Sequence, residues 1–230
     1  MGVLPRGRRG GRDEEAPYDI LDSPFRDVAP GEARMRWIVI DGIDGSGKST
    51  VARWMEEHYR ERGERVLVQV HPSERRLGRL ARRCLQGEER LMYPLASLFF
   101  LADLLVSLSL LRRRSRDHDV VIFVRYLMAA AYLPGRLAGI GYAVLSRTLP
   151  APSRLLLVDV DPATALQRIA TRRDEEEMFE NLSALTRVRA VTLALSEGWT
   201  VLDNSGDQEA SRARLEAIVK EWKDPEPSAR

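Results

Sequence analysis

An α/β fold, a five-stranded parallel sheet with helices on both faces, is the architecture this sequence predicts, on three observations. Short, nearly uninterrupted apolar runs recur along the chain. Segments with helical periodicity separate them. The first apolar run opens directly into a glycine-rich turn that leads into a helix. Strands that are apolar on both faces belong in a sheet covered on both sides, and a sheet built by strand–helix alternation is parallel.

The elements follow in order. Residues 1–34 are rich in Gly, Pro and mixed charge without periodicity, and they read as a flexible N-terminal extension. The domain is expected over 35–224, with 225–230 as a short C-terminal tail. WIVID (37–41) is the first strand, and TVARWMEEHYRERG is an amphipathic helix stopped by Gly63. RVLVQV is the second strand, ending at His71-Pro72, and SERRLGRLARRCL is a helix crowded with arginine. The apolar segment from Leu95 makes a long helix that closes in RRRSRDHD. VVIFV is the third strand and RYLMAAAYL a short helix. RLLLVDV is the fourth strand, after which Pro162 opens the helix PATALQRIATRR. A further helix lies in EEEMFENLSALTRVRAVTLALSEG, WTVLD is the fifth strand, and the last helix runs from Gln208 to Trp222.

Composition narrows the function. With 36 Lys and Arg against 34 Asp and Glu, the formal net charge is only +2, so no global field points to nucleic acid or an anionic membrane. The single cysteine, Cys84, excludes an intramolecular disulfide framework and a multi-cysteine metal site, and a reducing, cytoplasmic setting is the default. His58, His71 and His118 are too scattered to form a metal cluster. The apolar run 95–111 is short for a membrane span and carries Asp103 near its middle, so a buried helix is the better reading. No secretory signal pattern is seen.

The turn after the first strand reads Gly42, Ile43, Asp44, Gly45, Ser46, Gly47, Lys48, Ser49 and Thr50, which satisfies G-x-x-x-x-G-K-[ST] at every fixed position. The motif stands between a strand and a helix, the one context in which it works. Glycines let successive backbone N–H groups converge on phosphate oxygens, and the helix N-terminus adds its positive end. Lys48 can reach the β- and γ-phosphates of a nucleoside triphosphate, and Ser49 can offer its hydroxyl to Mg²⁺. A nucleoside triphosphate and Mg²⁺ are therefore expected. Arg125 directly follows the third buried strand, at the end where parallel sheets hold ligands. Asp41, at the end of the first strand, can support Mg²⁺ through water.

The chain resembles the thymidylate kinase family of nucleoside monophosphate kinases. The resemblance runs through IVIDGIDGSGKST, LFFLAD (98–103), VIFVRY (121–126), LLLVDVDPATALQRIATR (155–172) and WTVLDNSGDQEA (199–210), and it covers roughly 35–222. It implies that Asp44 contacts the acceptor's sugar, that Phe100 packs on the acceptor base, and that Arg125, followed by Tyr126, contacts the acceptor phosphate. It implies also that Arg172 and Arg173 belong to a mobile lid at about 172–178 that reaches the transferring group. Four places depart from the family pattern. Val124 stands for the aspartate of Asp-Arg-Tyr, and Leu104 for the arginine of Ala-Asp-Arg. Val70-His71-Pro72 replaces Arg-Glu-Pro, and LMAAAYLP lacks the serine and glutamine that help read thymine.

The expected function is transfer of the γ-phosphoryl of ATP to a nucleoside monophosphate, with Lys48, Arg125, Arg172 and Arg173 supplying cations. Two alternatives stay open: a nucleotide-binding module whose catalysis has decayed, and a kinase with a different small acceptor. Arg75, Arg76 and Arg79 read either as a solvated face or as a clamp replacing the lost arginines. The partners expected are nucleotides, and the long helix can pack against its copy in a homodimer, as the resemblance suggests.

Overall fold

The computed structural model describes residues 35–85, 92–114, 117–171 and 181–222. Five parallel strands, β1 (Arg36–Asp41), β2 (Val66–Val70), β3 (Val120–Val124), β4 (Arg154–Asp159) and β5 (Thr200–Asp203), form one sheet in the order β2-β3-β1-β4-β5. The most apolar strands, β1 and β3, sit inside the sheet, with Ile38 opposite Ile122 and Ile40 opposite Val124. The more polar β2 and β5 take the edges, where one row of backbone groups is left unpaired.

Strand alternation sorts the side chains onto two faces. Ile38, Ile40, Ile122, Val124, Leu156 and Val158 pack beneath α1 (Lys48–Glu61) and α7 (Gln208–Glu221), against Val51, Met55, Tyr59, Leu215 and Val219. Trp37, Val39, Val121, Phe123 and Leu157 pack on the other face beneath α3 (Met92–Arg114), against Leu104, Leu108 and Leu111. Leu104 is fully buried there, so the departure from arginine at this position has turned it into core. Each such side chain taken wholly out of water contributes roughly 1.5–3 kcal/mol. A third cluster, with Ile43, Val160, Ala165, Leu185 and Val188, joins the glycine-rich turn to α5 (Pro162–Ala170) and α6 (Leu182–Ala194). The basic helix α2 (Arg76–Leu85) follows β2.

One helix was expected and found, and one was not expected. The short helix expected after β3 is a five-residue 3-10 helix, Met128–Tyr132. The stretch Leu137–Thr148, for which no element was expected, forms α4. Gly141 serves packing rather than breakage: a Cβ there would lie 2.7 Å from Leu133 Cδ1. Among the described residues no helix is long and apolar enough to cross a membrane. The N-terminal extension, the lid at about 172–178 and the C-terminal tail lie outside the described residues.

Candidate active site

The glycine-rich turn sits at the carboxyl end of central strand β1, pressed between β4 and α5. Gly45 takes a left-handed φ of 75°, and a Cβ on it would stand 2.4 Å from the Ala165 carbonyl oxygen, so only glycine lets the loop lie this close to α5. α1 begins at Lys48 with Gly47 as its N-cap and no side-chain cap, which leaves the amides of its first turn for a ligand. Lys48 is buried and folded over its own loop, its Nζ donating to the carbonyls of Gly42 at 2.9 Å and Ile43 at 2.6 Å. Ser49 is exposed at the mouth and Thr50 is half-buried behind it. Ile43 contributes only backbone to the loop, because its side chain belongs to the third core cluster.

Asp44 is the meeting point of the site. Its carboxylate pairs with the Arg125 guanidinium, lies 3.8 Å from Lys48 Nζ, and accepts a hydrogen bond from the Tyr132 hydroxyl at 2.8 Å. Arg125 reaches it through an unusual backbone. Its N–H donates to the Ile40 carbonyl at 3.0 Å, and its φ is +65°, uncommon for a residue with a Cβ and costly by about 1 kcal/mol or more. Such strain is held by its surroundings, and here Asp41 holds it. The Asp41 carboxylate, 1% exposed, accepts from the backbone N–H groups of Tyr126 and Met128, both at 3.1 Å, and so pins the turn after β3. Burial raises the Asp41 carboxyl to about 6 despite those hydrogen bonds and the nearby cations. The structure thus gives Asp41 a backbone-bracing task beyond the water-mediated metal contact expected of it. Burial, with the Asp44 charge alongside, pushes the Tyr132 phenol well above its usual range.

Tyr126 corrects an expectation. It is fully buried among Trp37 and Phe123, and its hydroxyl donates to the Pro150 carbonyl at 2.9 Å, so it is a core residue rather than a substrate contact. The alternation that sends Arg125 to the site sends its neighbour inward. Arg172 and Arg173 lie outside the described residues.

Beyond β2 the chain builds a polar network. Asp103 on α3 accepts from the Ser73 N–H at 2.7 Å, the Ser73 hydroxyl at 2.6 Å and the Arg75 guanidinium at 3.1 Å. Burial would raise this carboxyl, but the Ser73 hydrogen bonds and the Arg75 charge outweigh it and hold it below its ordinary value. Arg75 also donates to the Ser107 hydroxyl, and His71 Nε2 lies 2.7 Å from the same oxygen. Burial lowers the His71 imidazole to about 4, so it is neutral at physiological pH. Phe100 is half-buried on α3, its ring 6.4 Å from that of His71. Of the three arginines read together from sequence, only Arg75 turns inward; Arg76 and Arg79 are exposed.

On the opposite side, Asp161 caps α5 by accepting from the N–H groups of Ala163 and Thr164, and Asp159 takes a two-point ion pair from Arg189 at 2.8 Å. Asn204, after β5, donates from Nδ2 to the Ser46 carbonyl at 2.6 Å, and its own carbonyl accepts from Arg168 at 2.9 Å. Tyr132 and Asn204 were missed in sequence. Their neighbours in sequence reveal no task on the loop, since each acts on it from a distant part of the chain.

A glycine-rich loop at the end of β1, a buried lysine folded over it and uncapped helix amides behind it define a P-loop nucleotide-binding α/β protein. The family model for thymidylate kinase matches residues 40–214, and the chain belongs to that family. It is 31% identical over 192 residues to a probable thymidylate kinase of Pyrobaculum aerophilum, covering 81% of this chain and 97% of that protein. It is 32% identical over 191 residues to a thymidylate kinase of Xanthomonas euvesicatoria pv. vesicatoria, covering 79% and 82% respectively. The solved thymidylate kinase of Candida albicans has the same fold, with a TM-score of 0.64 at 20% identity over 84% of this chain and 94% of that one.

Proposed function

We propose that this protein transfers the γ-phosphoryl group of ATP to a nucleoside monophosphate, with dTMP, the acceptor its relatives' names imply, as the preferred one. The observation that carries this reading is Asp44, which binds a cation from each half of the site: Lys48 from the P-loop and Arg125 from the turn after β3. In-line transfer needs donor and acceptor phosphates brought together at one point, and catalysis here is mostly positioning and charge stabilisation. Lys48 grips the donor's terminal phosphates, Arg125 the acceptor phosphate, and Asp44, held by Tyr132, orients both cations and meets the acceptor's sugar. Phe100 offers a ring to the acceptor base. Arg172 and Arg173 bring further positive charge to the transferring group.

The chain suits a Mg²⁺ that arrives on the donor phosphates. Ser49 presents its hydroxyl at the first turn of α1 and would hold the ion, with Asp41 supporting it through water. Among the described residues no group of three His, Cys, Asp or Glu side chains forms a protein cage, and Mg²⁺ held by substrate phosphates requires none. When bound, the ion neutralises charge on the phosphate oxygens. The reading places the protein in the cytoplasm and expects a homodimer through α3, whose Leu95, Leu98 and Leu105 are exposed.

A coupled assay of ADP formation across deoxy- and ribonucleoside monophosphates, with ATP and Mg²⁺, tests the proposal. dTMP is expected to give the highest kcat/KM. ATP binding without ADP formation from any acceptor would instead identify a nucleotide-binding module.

A further inference from the structure

We infer that Asn204 is a positioning residue for the donor triphosphate: its side-chain amide fixes the peptide plane between Ser46 and Gly47, so that the Gly47 N–H faces the phosphate cradle. The inference rests on the ATP-binding role proposed above.

The argument begins with planarity. In a trans peptide the carbonyl of one residue and the N–H of the next point in opposite directions, so fixing one fixes the other. Asn204 Nδ2 donates to the Ser46 carbonyl at 2.6 Å, across 158 positions of sequence. With that carbonyl drawn towards β5, the following N–H turns away from Asn204, to the concave side of the loop. The contact is close enough to need glycine next door: a Cβ on Gly47, whose φ is +92°, would stand 2.4 Å from Nδ2.

Asn204 itself has little freedom. It is buried, its N–H donates to the Asp159 carbonyl at 2.8 Å, and its carbonyl accepts from Arg168 at 2.9 Å. Two neighbouring elements, β4 and α5, therefore hold the residue that holds the loop. A P-loop binds anions through successive N–H groups that converge before the ligand arrives. An untethered 46–47 peptide can rotate, and its N–H is then lost to the cradle for part of the time. Donor affinity falls as a result, while Arg125 and Phe100, which serve the acceptor from the turn after β3 and from α3, are untouched.

Asn204→Asp and Asn204→Ala test this in the full-length protein, with ATP affinity measured by calorimetry and KM for both substrates by steady-state kinetics. Aspartate keeps the shape and replaces the donor with an acceptor. About a tenfold loss of ATP affinity is expected at pH 8, with acceptor KM within about twofold of the parent. In Asn204→Ala the loss is expected in ATP affinity and ATP KM and not in acceptor KM, a split a merely structural role would not produce. Where the aspartate variant fails to fold, the split between ATP and acceptor KM in Asn204→Ala decides alone. Folded variants that bind ATP as the parent does overturn the inference and leave the proposed function standing. A parent that binds no ATP overturns both.

Discussion

Replacing His71 by glutamine isolates one titration from the rest of the protein. His71 is 1% exposed, and burial holds its imidazole at about 4 against an ordinary value of 6.5. A histidine whose folded pKa is depressed binds fewer protons in the folded state than in the unfolded one. The stability it allows is fully present above pH 6.5 and is lost as pH falls through the folded value near 4. Between pH 7 and pH 4.5, proton uptake by the unfolded chain costs the parent about 2 kcal/mol at this one site. Asp41 works in the opposite sense. Its carboxyl is raised from 3.8 to about 6, so its share of stability falls as pH rises across that window. The two trends offset each other, and the parent alone would show little. The difference between parent and His71→Gln removes Asp41, which both chains carry, and leaves the histidine. Glutamine does not titrate and keeps a polar end for the Ser107 hydroxyl that lies 2.7 Å from Nε2. Urea unfolding at pH 7 and 4.5 is the assay. Relative to the variant, the parent is expected to lose about 2 kcal/mol on acidification. Parallel stabilities at the two pH values would mean that His71 protonates as readily folded as unfolded, and the burial argument would be wrong.

Lys48→Ala is expected to abolish phosphoryl transfer and weaken ATP binding while leaving the melting temperature nearly unchanged; calorimetric titration and a thermal scan check it, and unaltered ATP affinity in the folded variant would remove the P-loop assignment. Tyr132→Phe deletes a hydrogen-bond partner of Asp44, and a hydrogen bond to a charged group contributes about 1.5–3 kcal/mol, so kcat/KM for the acceptor should fall roughly tenfold or more. Val124→Asp puts a carboxylate at a position that is 1% exposed, among Ile40, Val51 and Met55. The unpaired charge is expected to cost about 3 kcal/mol or more, measured by denaturant unfolding. A variant as stable as the parent, with faster turnover at low Mg²⁺, would show instead that metal organisation is what β3 lacks.

The parts of this molecule that local chemistry dictates could be read directly. WIVID and VVIFV could only be buried strands, and the lysine-bearing glycine turn could only follow the first of them. Arg125 was placed correctly at a strand end, although its left-handed backbone was not legible, because the Asp41 carboxylate that pins the turn comes from another strand. Tyr126 was misread for the same reason: one residue decides between the ligand side and the core, and that choice depends on the turn. α4 was not expected at all; within it Gly141 makes room for Leu133 from the preceding loop. Tyr132 stands in LMAAAYLP and Asn204 in WTVLDNSGDQEA, but neither run reveals a contact with the glycine-rich loop; distance in sequence hid them.

The strand order has a consequence for how such a protein can change. β1 carries the reaction centre and is flanked by β3 and then β2 on one wing, and by β4 and then β5 on the other. Apart from Asp44, on the central loop itself, the residues proposed for the acceptor hang from the first wing, and Asn204, which tethers the donor loop, hangs from the second. Substitutions can therefore accumulate around His71, Phe100 and Leu104 without loosening the Asn204–Ser46 tether. Retuning the acceptor preference of this protein is accordingly a matter of redesigning one wing, with the other inherited whole.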